Sequence, residues 1–162
     1  LADEIGEKAR YIHLDVTSES DWADAVALAL AEFGKLNVLL NNAGICTAGS
    51  IESFTLDDWN RIIGINLTGQ FLGIRAATPA LVAIELADKG VRANTICPGT
   101  IATPMNAGLD VAGFNPMNRK ADPREVSKLV VFLASDESPF ISGGDIVIDG
   151  AELAGHGPLV AL

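Results

Sequence analysis

The spacing of apolar residues changes period several times along the chain, and each change predicts an element. Tyr11 to Val16, "YIHLDV", alternates and is rich in β-formers, which predicts a strand. Thr17 to Ser20 supply N-cap residue types, and Trp22, Ala25, Val26, Ala29, Leu30 and Phe33 then recur at helical spacing until Gly34 ends the helix. "LNVLL", Leu36 to Leu40, is a nearly continuous apolar run closed by "NNAG", the pattern of a strand covered on both faces. Thr55 and Asp58 form a capping-box-like start, and helical periodicity runs from there to Leu81. "VRANTI", Val91 to Ile96, predicts a strand ended by "CPGT". A Gly-, Asn- and Pro-rich stretch, Asn106 to Asn118, reads as a mobile loop. Asp122-Pro123 with Glu125 opens another helix, and "DIVID", Asp145 to Asp149, predicts a last strand. The opening "LADEIGEKAR" reads as a helix end followed by a turn. Strands alternating with amphipathic helices predict an α/β fold with a parallel sheet.

Composition narrows the class without changing this picture. A chain of 162 residues suits one domain, and 49% apolar with 20% charged residues is globular rather than disordered. No apolar run reaches the roughly 18 residues of a membrane span. The net charge of -10 argues against nucleic acid and anionic membranes, because phosphate contacts need clustered Lys and Arg, and only Arg119 and Lys120 are adjacent. Cys46 and Cys97 form no disulfide framework; apolar neighbours make them expected buried thiols in a reducing, cytoplasmic compartment. Asn66-Leu67-Thr68 matches a glycosylation acceptor but falls inside a helical pattern, where a sugar is not expected.

In parallel sheets ligands bind beyond the carboxyl ends of the strands, so the residues following each predicted strand carry the chemistry. These are Asp15-Val16-Thr17, Asn41-Asn42-Ala43-Gly44 and the run from Pro98 to Met105. Asp15 is an acceptor for an exocyclic amine, Ala43 and Gly44 let a flat ligand approach the backbone, and Thr103 offers a hydroxyl. His13 and Asp15 share a strand face, yet no third ligand stands at useful spacing, so no metal is expected. His156 lies in a Gly-rich tail and is expected to face solvent. There is no Gly-x-Ser-x-Gly and no C-x-x-C.

"LDVT", "NNAG", "INLTG", "VRANTICPG" followed by "TP", and "FLASD…ISGGDIVIDG" occur in one order across nearly the whole chain. In that order they resemble the short-chain dehydrogenase/reductase family. "ARYIHLDVTSESDW" is most similar to bacterial hydroxysteroid dehydrogenases of the 3α/20β type. The resemblance implies a Rossmann-type doubly wound parallel sheet in a single domain, residues 1–162, and NAD(P)-dependent interconversion of a secondary alcohol and a ketone, of hydroxysteroid or 3-oxoacyl type. It implies that Asp15 bonds the adenine amino group, that Val16 packs beside the ring, and that Asn42, Ala43 and Gly44 line the adenosine ribose. Pro98, Gly99, Ile101 and Thr103 would hold the nicotinamide. Asn66 matches the catalytic asparagine that holds a water in a proton relay. NAD is favoured, with NADP open; the substrate is a small apolar carbonyl or alcohol covered by a lid at 105–118, and the assembly a homotetramer.

The chain also departs from the family. The only tyrosine, Tyr11, lies in the first predicted strand with no lysine four residues on, so the Tyr-x-x-x-Lys pair and its serine are missing. No Gly-rich phosphate turn is present either; "SGGD", Ser142 to Asp145, precedes a strand rather than a helix. The run "AATPALVAIELADKG" is too short for the helix and strand the family places there, which predicts a chain gap between Leu81 and Val82. A Gly-rich segment is expected ahead of Leu1. The alternative from the same residues is a non-catalytic nucleotide-binding or scaffold protein lacking the tyrosine.

Overall fold

Helix ends fall where side chains replace lost backbone bonds. In the computed structural model, which describes residues 2–47, 49–81, 91–110 and 115–154, the chain divides into two units, Leu1–Ala83 and Ile84–Leu162. The first opens with α1 (Ala2–Ile5) and a 3-10 turn, the expected helix end. In α2 (Glu19–Phe33), Ser18 Oγ accepts the Asp21 N–H at 3.3 Å, and Gly34 closes the helix in the left-handed region, donating to Leu30. Thr55 and Asp58 form a complete capping box on α3 (Leu56–Ile63). Helix continues to Leu81, as the periodicity predicts, but through a π-turn (Gly64–Thr68) into α4 (Gly69–Leu81). Pro79 lies in the last turns of α4, and the expected gap after Leu81 lies outside the described residues, as does His156.

Two glycines four apart on α4, Gly69 and Gly73, set how this unit packs. A Cβ on Gly69 would lie 2.8 Å from Val16 Cγ2, and one on Gly73 would lie 2.7 Å from the Trp22 ring and from Asn41 Oδ1. The bare helix face therefore lets the loops after both predicted strands sit against backbone, which no side chain would permit. Trp22, Leu72 and Ala77 are the apolar residues buried here. Arg75 pairs with Glu19 and stands over the Phe71 ring.

Two expectations need correction. Tyr11–Val16 and Leu36–Leu40 lie outside any β-ladder, because a strand exists only with a hydrogen-bonded neighbour and no described segment of this unit supplies one. Tyr11, Val38 and Leu40 are consequently exposed. Cys46 is exposed and Cys97 only partly covered, so neither is a buried thiol.

In the second unit β1 (Thr95–Pro98) pairs in parallel with β2 (Asp145–Ile148), Thr95 opposite Asp145 and Pro98 opposite Ile148. The first strand starts later than the sequence predicts, because Arg92 and Asn94 are used elsewhere. Arg92 donates to the Ser135 carbonyl and to Ser138 Oγ, each at 3.1 Å, while Asn94 bridges the Ile141 carbonyl and the Gly144 N–H. The second strand stops before Asp149, whose carboxylate turns to accept the N–H groups of Ala151 and Leu153. Between the strands, α5 (Pro123–Ala134) begins at the capping box of Asp122 and Glu125. Of the expected lid, Pro104–Asn106 forms a 3-10 turn, and 111–114 lie outside the described residues. No described helix is long and apolar enough to cross a membrane, and no described cluster of His, Cys, Asp and Glu could hold a metal.

Candidate functional site

In the first unit the turn after Tyr11–Val16 is fixed by its own side chains. Asp15 Oδ1 accepts the Thr17 N–H at 2.9 Å and its hydroxyl at 2.7 Å, and these bonds hold the Asp15 pKa below its ordinary value. Asp21, itself lowered by the Ser18 hydroxyl and the Asp15 N–H, ties the turn to α2. Trp22 completes the frame: its indole N–H donates to the Val16 carbonyl at 2.9 Å. The result is an ionised carboxylate at an exposed position, with Oδ2 taking no hydrogen bond from the described residues.

The second loop is held by Asn66. Its Oδ1 accepts the Ile45 N–H at 2.9 Å and its Nδ2 donates to the Ile45 carbonyl at 2.8 Å, a two-point clamp across 21 residues. Asn66 sits in the π-turn, where bonds five apart replace bonds four apart and the Gly69 N–H donates to the Gly64 carbonyl. The two amide atoms of Asn66, expected to hold a relay water, are both bonded to Ile45. Asn41 donates to the Gln70 carbonyl. Asn42 is exposed, and no described residue hydrogen-bonds its side chain.

Val16, Asn42 and Ala43 meet on one cavity of about 150 Å³, with Trp22, Ile65 and Gly69 on its other side. Asp15 and Gly44 do not line it. A Cβ on Gly44 would make only ordinary contact with Asn66, so steric crowding does not require glycine there. The chemistry of these groups fits an adenosine: a free carboxylate oxygen for an amine, an uncommitted amide for hydroxyls, and an apolar wall for a ring.

In the second unit the run after β1 is also braced. A Cβ on Gly99 would lie 2.8 Å from Asp149 Cα, so the close approach of the two strand ends demands this glycine. Asn106 was not among the residues singled out by pattern, yet it receives the Thr103 N–H on Oδ1 at 3.2 Å and donates to the Ile101 carbonyl. Asn106 thereby sets the backbone of two of the four nicotinamide candidates, while Pro98 itself is exposed at the end of β1. The three-residue spacing from Thr103 to Asn106 was the available signal. Trp22, Gly69 and Gly73 gave none, because their roles depend on segments distant in sequence.

Comparison with known proteins matches these features in order. A family model described as short chain dehydrogenase matches residues 1–84, and one described as Enoyl-(Acyl carrier protein) reductase matches residues 80–151. The trans-4-hydroxycyclohexanecarboxylate dehydrogenase of Sinomonas cyclohexanicum is 39% identical over 188 residues, covering 91% of this chain and 72% of its own. The 3-alpha-(or 20-beta)-hydroxysteroid dehydrogenase of Mycobacterium tuberculosis is 38% identical over 195 residues, covering 96% and 75%. A short-chain type dehydrogenase/reductase from Mycobacterium marinum superposes with a TM-score of 0.87 at 27% identity, over 95% of this chain and 80% of its own.

Proposed function

The chain belongs to the short-chain dehydrogenase/reductase family of NAD(P)-dependent oxidoreductases with the Rossmann-type α/β fold, and on that premise we propose that it acts on a secondary hydroxyl carried by a carbocyclic skeleton. The observation that carries the substrate class is that both curated relatives are named for such alcohols, a hydroxycyclohexane and a hydroxysteroid. A small apolar substrate, a homotetramer and a cytoplasmic location complete the proposal.

Asp15 accepts the adenine amine, Val16 packs on the ring, and Asn42, Ala43 and Gly44 receive the ribose. Pro98, Gly99, Ile101 and Thr103 take the nicotinamide end. When bound, the dinucleotide supplies or accepts a hydride. Asn66 clamps the loop at Ile45 and takes part in the proton relay. Tyr11 is not the general acid, because it is held in an exposed segment with Asp15, not lysine, four residues on.

The Ser and Tyr-x-x-x-Lys segment belongs, in our reading, between Leu81 and Val82. Two findings support it. The two family models exchange at residues 80–84, and the alignments are longer than the chain can fill. For the hydroxysteroid dehydrogenase, 96% of 162 residues is about 156, which leaves about 39 of 195 aligned positions without a residue of this chain. The two units are then parts of one dinucleotide-binding domain.

The test is a titration of NAD and NADP by calorimetry, followed by the rise of reduced-nicotinamide absorbance with cyclohexanol, cyclopentanol and a 3α-hydroxysteroid. Saturable binding with turnover of ring alcohols supports the proposal. Binding without turnover in a chain whose intact mass matches 162 residues supports the non-catalytic alternative, which the absent Tyr-x-x-x-Lys pair favours. No binding overturns both.

A further inference from the structure

We propose that Lys120 is a positioning residue for the nicotinamide end of the dinucleotide: its ammonium fixes the run from Thr100 to Asn106 in the shape that Ile101 and Thr103 need to bind. The inference rests on the assignment proposed for Ile101 and Thr103. It adds a group outside that run, reaching back across 14 residues to Asn106.

A segment that leaves a strand end has no ladder to hold it, so its backbone groups need other partners. The first part of this run finds them in main chain. The Ala121 N–H donates to the Thr100 carbonyl at 3.0 Å and the Ala102 N–H to the Ala121 carbonyl at 2.9 Å, a parallel bridge between Ile101 and Ala121. Beyond Ala102 the bridge ends. Thr103 to Asn106 then depend on the 3-10 turn, whose bonds are long: Asn106 N–H to the Thr103 carbonyl at 3.2 Å, and Ala107 N–H to the Pro104 carbonyl at 3.3 Å. Bonds of this geometry are the weaker kind. The Asn106 amide, which serves the Ile101 carbonyl and the Thr103 N–H, would be no better placed than that turn.

Lys120 supplies the stronger anchor. Its Nζ donates to the Asn106 carbonyl at 2.8 Å in a part-buried setting, and a charge-assisted bond is roughly twice as strong as a neutral one. A lysine stem is flexible, but here the backbone is fixed on both sides of it. Arg119 places two bonds of 2.8 Å on Glu125, a pairing that holds the Glu125 pKa down to about 2. Ala121 is held in the bridge, directly before the Asp122 that caps α5. The ammonium therefore stands on a post fixed to α5. Among the described residues no carboxylate pairs with Lys120, so its charge is spent on this carbonyl and not on an ion pair. Releasing it frees Asn106, and through Asn106 the backbone of Ile101 and Thr103. The bonds that shape the adenosine candidates all run within the first unit and do not involve this segment.

The experiment measures calorimetric dissociation constants of NAD and of ADP-ribose, which lacks the nicotinamide, for the full chain and for Lys120→Met, which keeps the apolar stem and removes the donor. In the wild type NAD should bind more tightly than ADP-ribose. Lys120→Met should raise the NAD constant about threefold to tenfold, the scale of one hydrogen bond, and leave that of ADP-ribose within about twofold. Lys120→Gln, uncharged and one bond shorter, should behave alike, and it decides if Lys120→Met fails to fold by circular dichroism. A second readout needs no dinucleotide: the backbone amide resonances of Ile101, Thr103 and Asn106 should shift in the unliganded variant, and wild-type positions there overturn the proposal. Unchanged NAD affinity in a folded variant overturns it while leaving the dinucleotide reading intact. Equal losses for NAD and ADP-ribose overturn it as well, since they report a general loss of structure. If the wild type binds both compounds equally, the nicotinamide assignment of the run falls and the role of Lys120 with it; if it binds neither, the dinucleotide reading itself fails.

Discussion

Replacing Trp22 by Phe tests whether α2 holds the dinucleotide turn or merely packs beside it. The indole N–H bonded to the Val16 carbonyl at 2.9 Å is lost, and the carbonyl is part-buried. A net hydrogen bond of this kind is worth about 1 kcal/mol. The ring is 7% exposed and lies over Gly73, so losing its pyrrole half removes about 40 Å² of buried apolar surface, about another 1 kcal/mol. The expected loss of stability is therefore about 2 kcal/mol, read as a lower urea midpoint at unchanged slope. Because the bond ends on Val16, beside Asp15, the NAD dissociation constant by calorimetry should rise about threefold to tenfold, corresponding to about 0.7–1.4 kcal/mol. A stability loss below about 0.5 kcal/mol would refute the claim that this bond frames the turn. A full loss of stability with unchanged NAD affinity would refute its connection to binding.

Three further outcomes follow from the same geometry. Gly73→Ala should destabilise by about 1 kcal/mol in thermal unfolding although alanine is the better helix former. The new Cβ meets the Trp22 ring at 2.7 Å, and overpacking costs more than the propensity gain; a stabilised variant would contradict the close packing. Asn66→Asp should lose about 1–3 kcal/mol near neutral pH, because a carboxylate oxygen then faces the Ile45 carbonyl that Nδ2 now serves. The protonated acid can donate there, so the folded pKa is raised: the lost stability returns below the unfolded value of about 4 and disappears as pH rises through the folded one. Glu125 has the opposite sign. Its folded pKa of about 2, against 4.5, gives stability that is present above 4.5 and lost as pH falls toward 2; Glu125→Gln should flatten acid unfolding in that window.

What could be read in the sequence was what neighbouring residues decide. Thr55 with Asp58 and Asp122 with Glu125 cap helices across three residues, and each cap forms as its spacing predicts, while among Thr17 to Ser20 it is Ser18 that caps α2. Gly34 ends α2 for an equally local reason. Strands are different, because a ladder is a property of two segments. Thr95–Pro98 and Asp145–Ile148 pair with each other and appear, whereas Tyr11–Val16 and Leu36–Leu40 carry stronger strand patterns and lack a described neighbour. The pattern was right about composition and silent about partnership.

The same division runs through the candidate site. Family motifs located Asp15, Asn42, Asn66 and the Pro98–Thr103 run; Asp15 and Asn42 lie on loops, Asn66 in the π-turn, and the run leaves the end of β1. What holds the loops in place was hidden, since each brace spans distant sequence: Asn66 reaches Ile45 across 21 residues, and Gly99 is required by Asp149. Gly69 and Gly73 make the point most sharply. Read along the chain they are weak helix formers at the start of α4. In the fold they are the surface against which Val16, Trp22 and Asn41 close, so the loops that follow both predicted strands of the first unit are positioned by the absence of two side chains. A glycine pair four apart on a helix is thus best judged by which loops must reach that face, not by its cost to the helix.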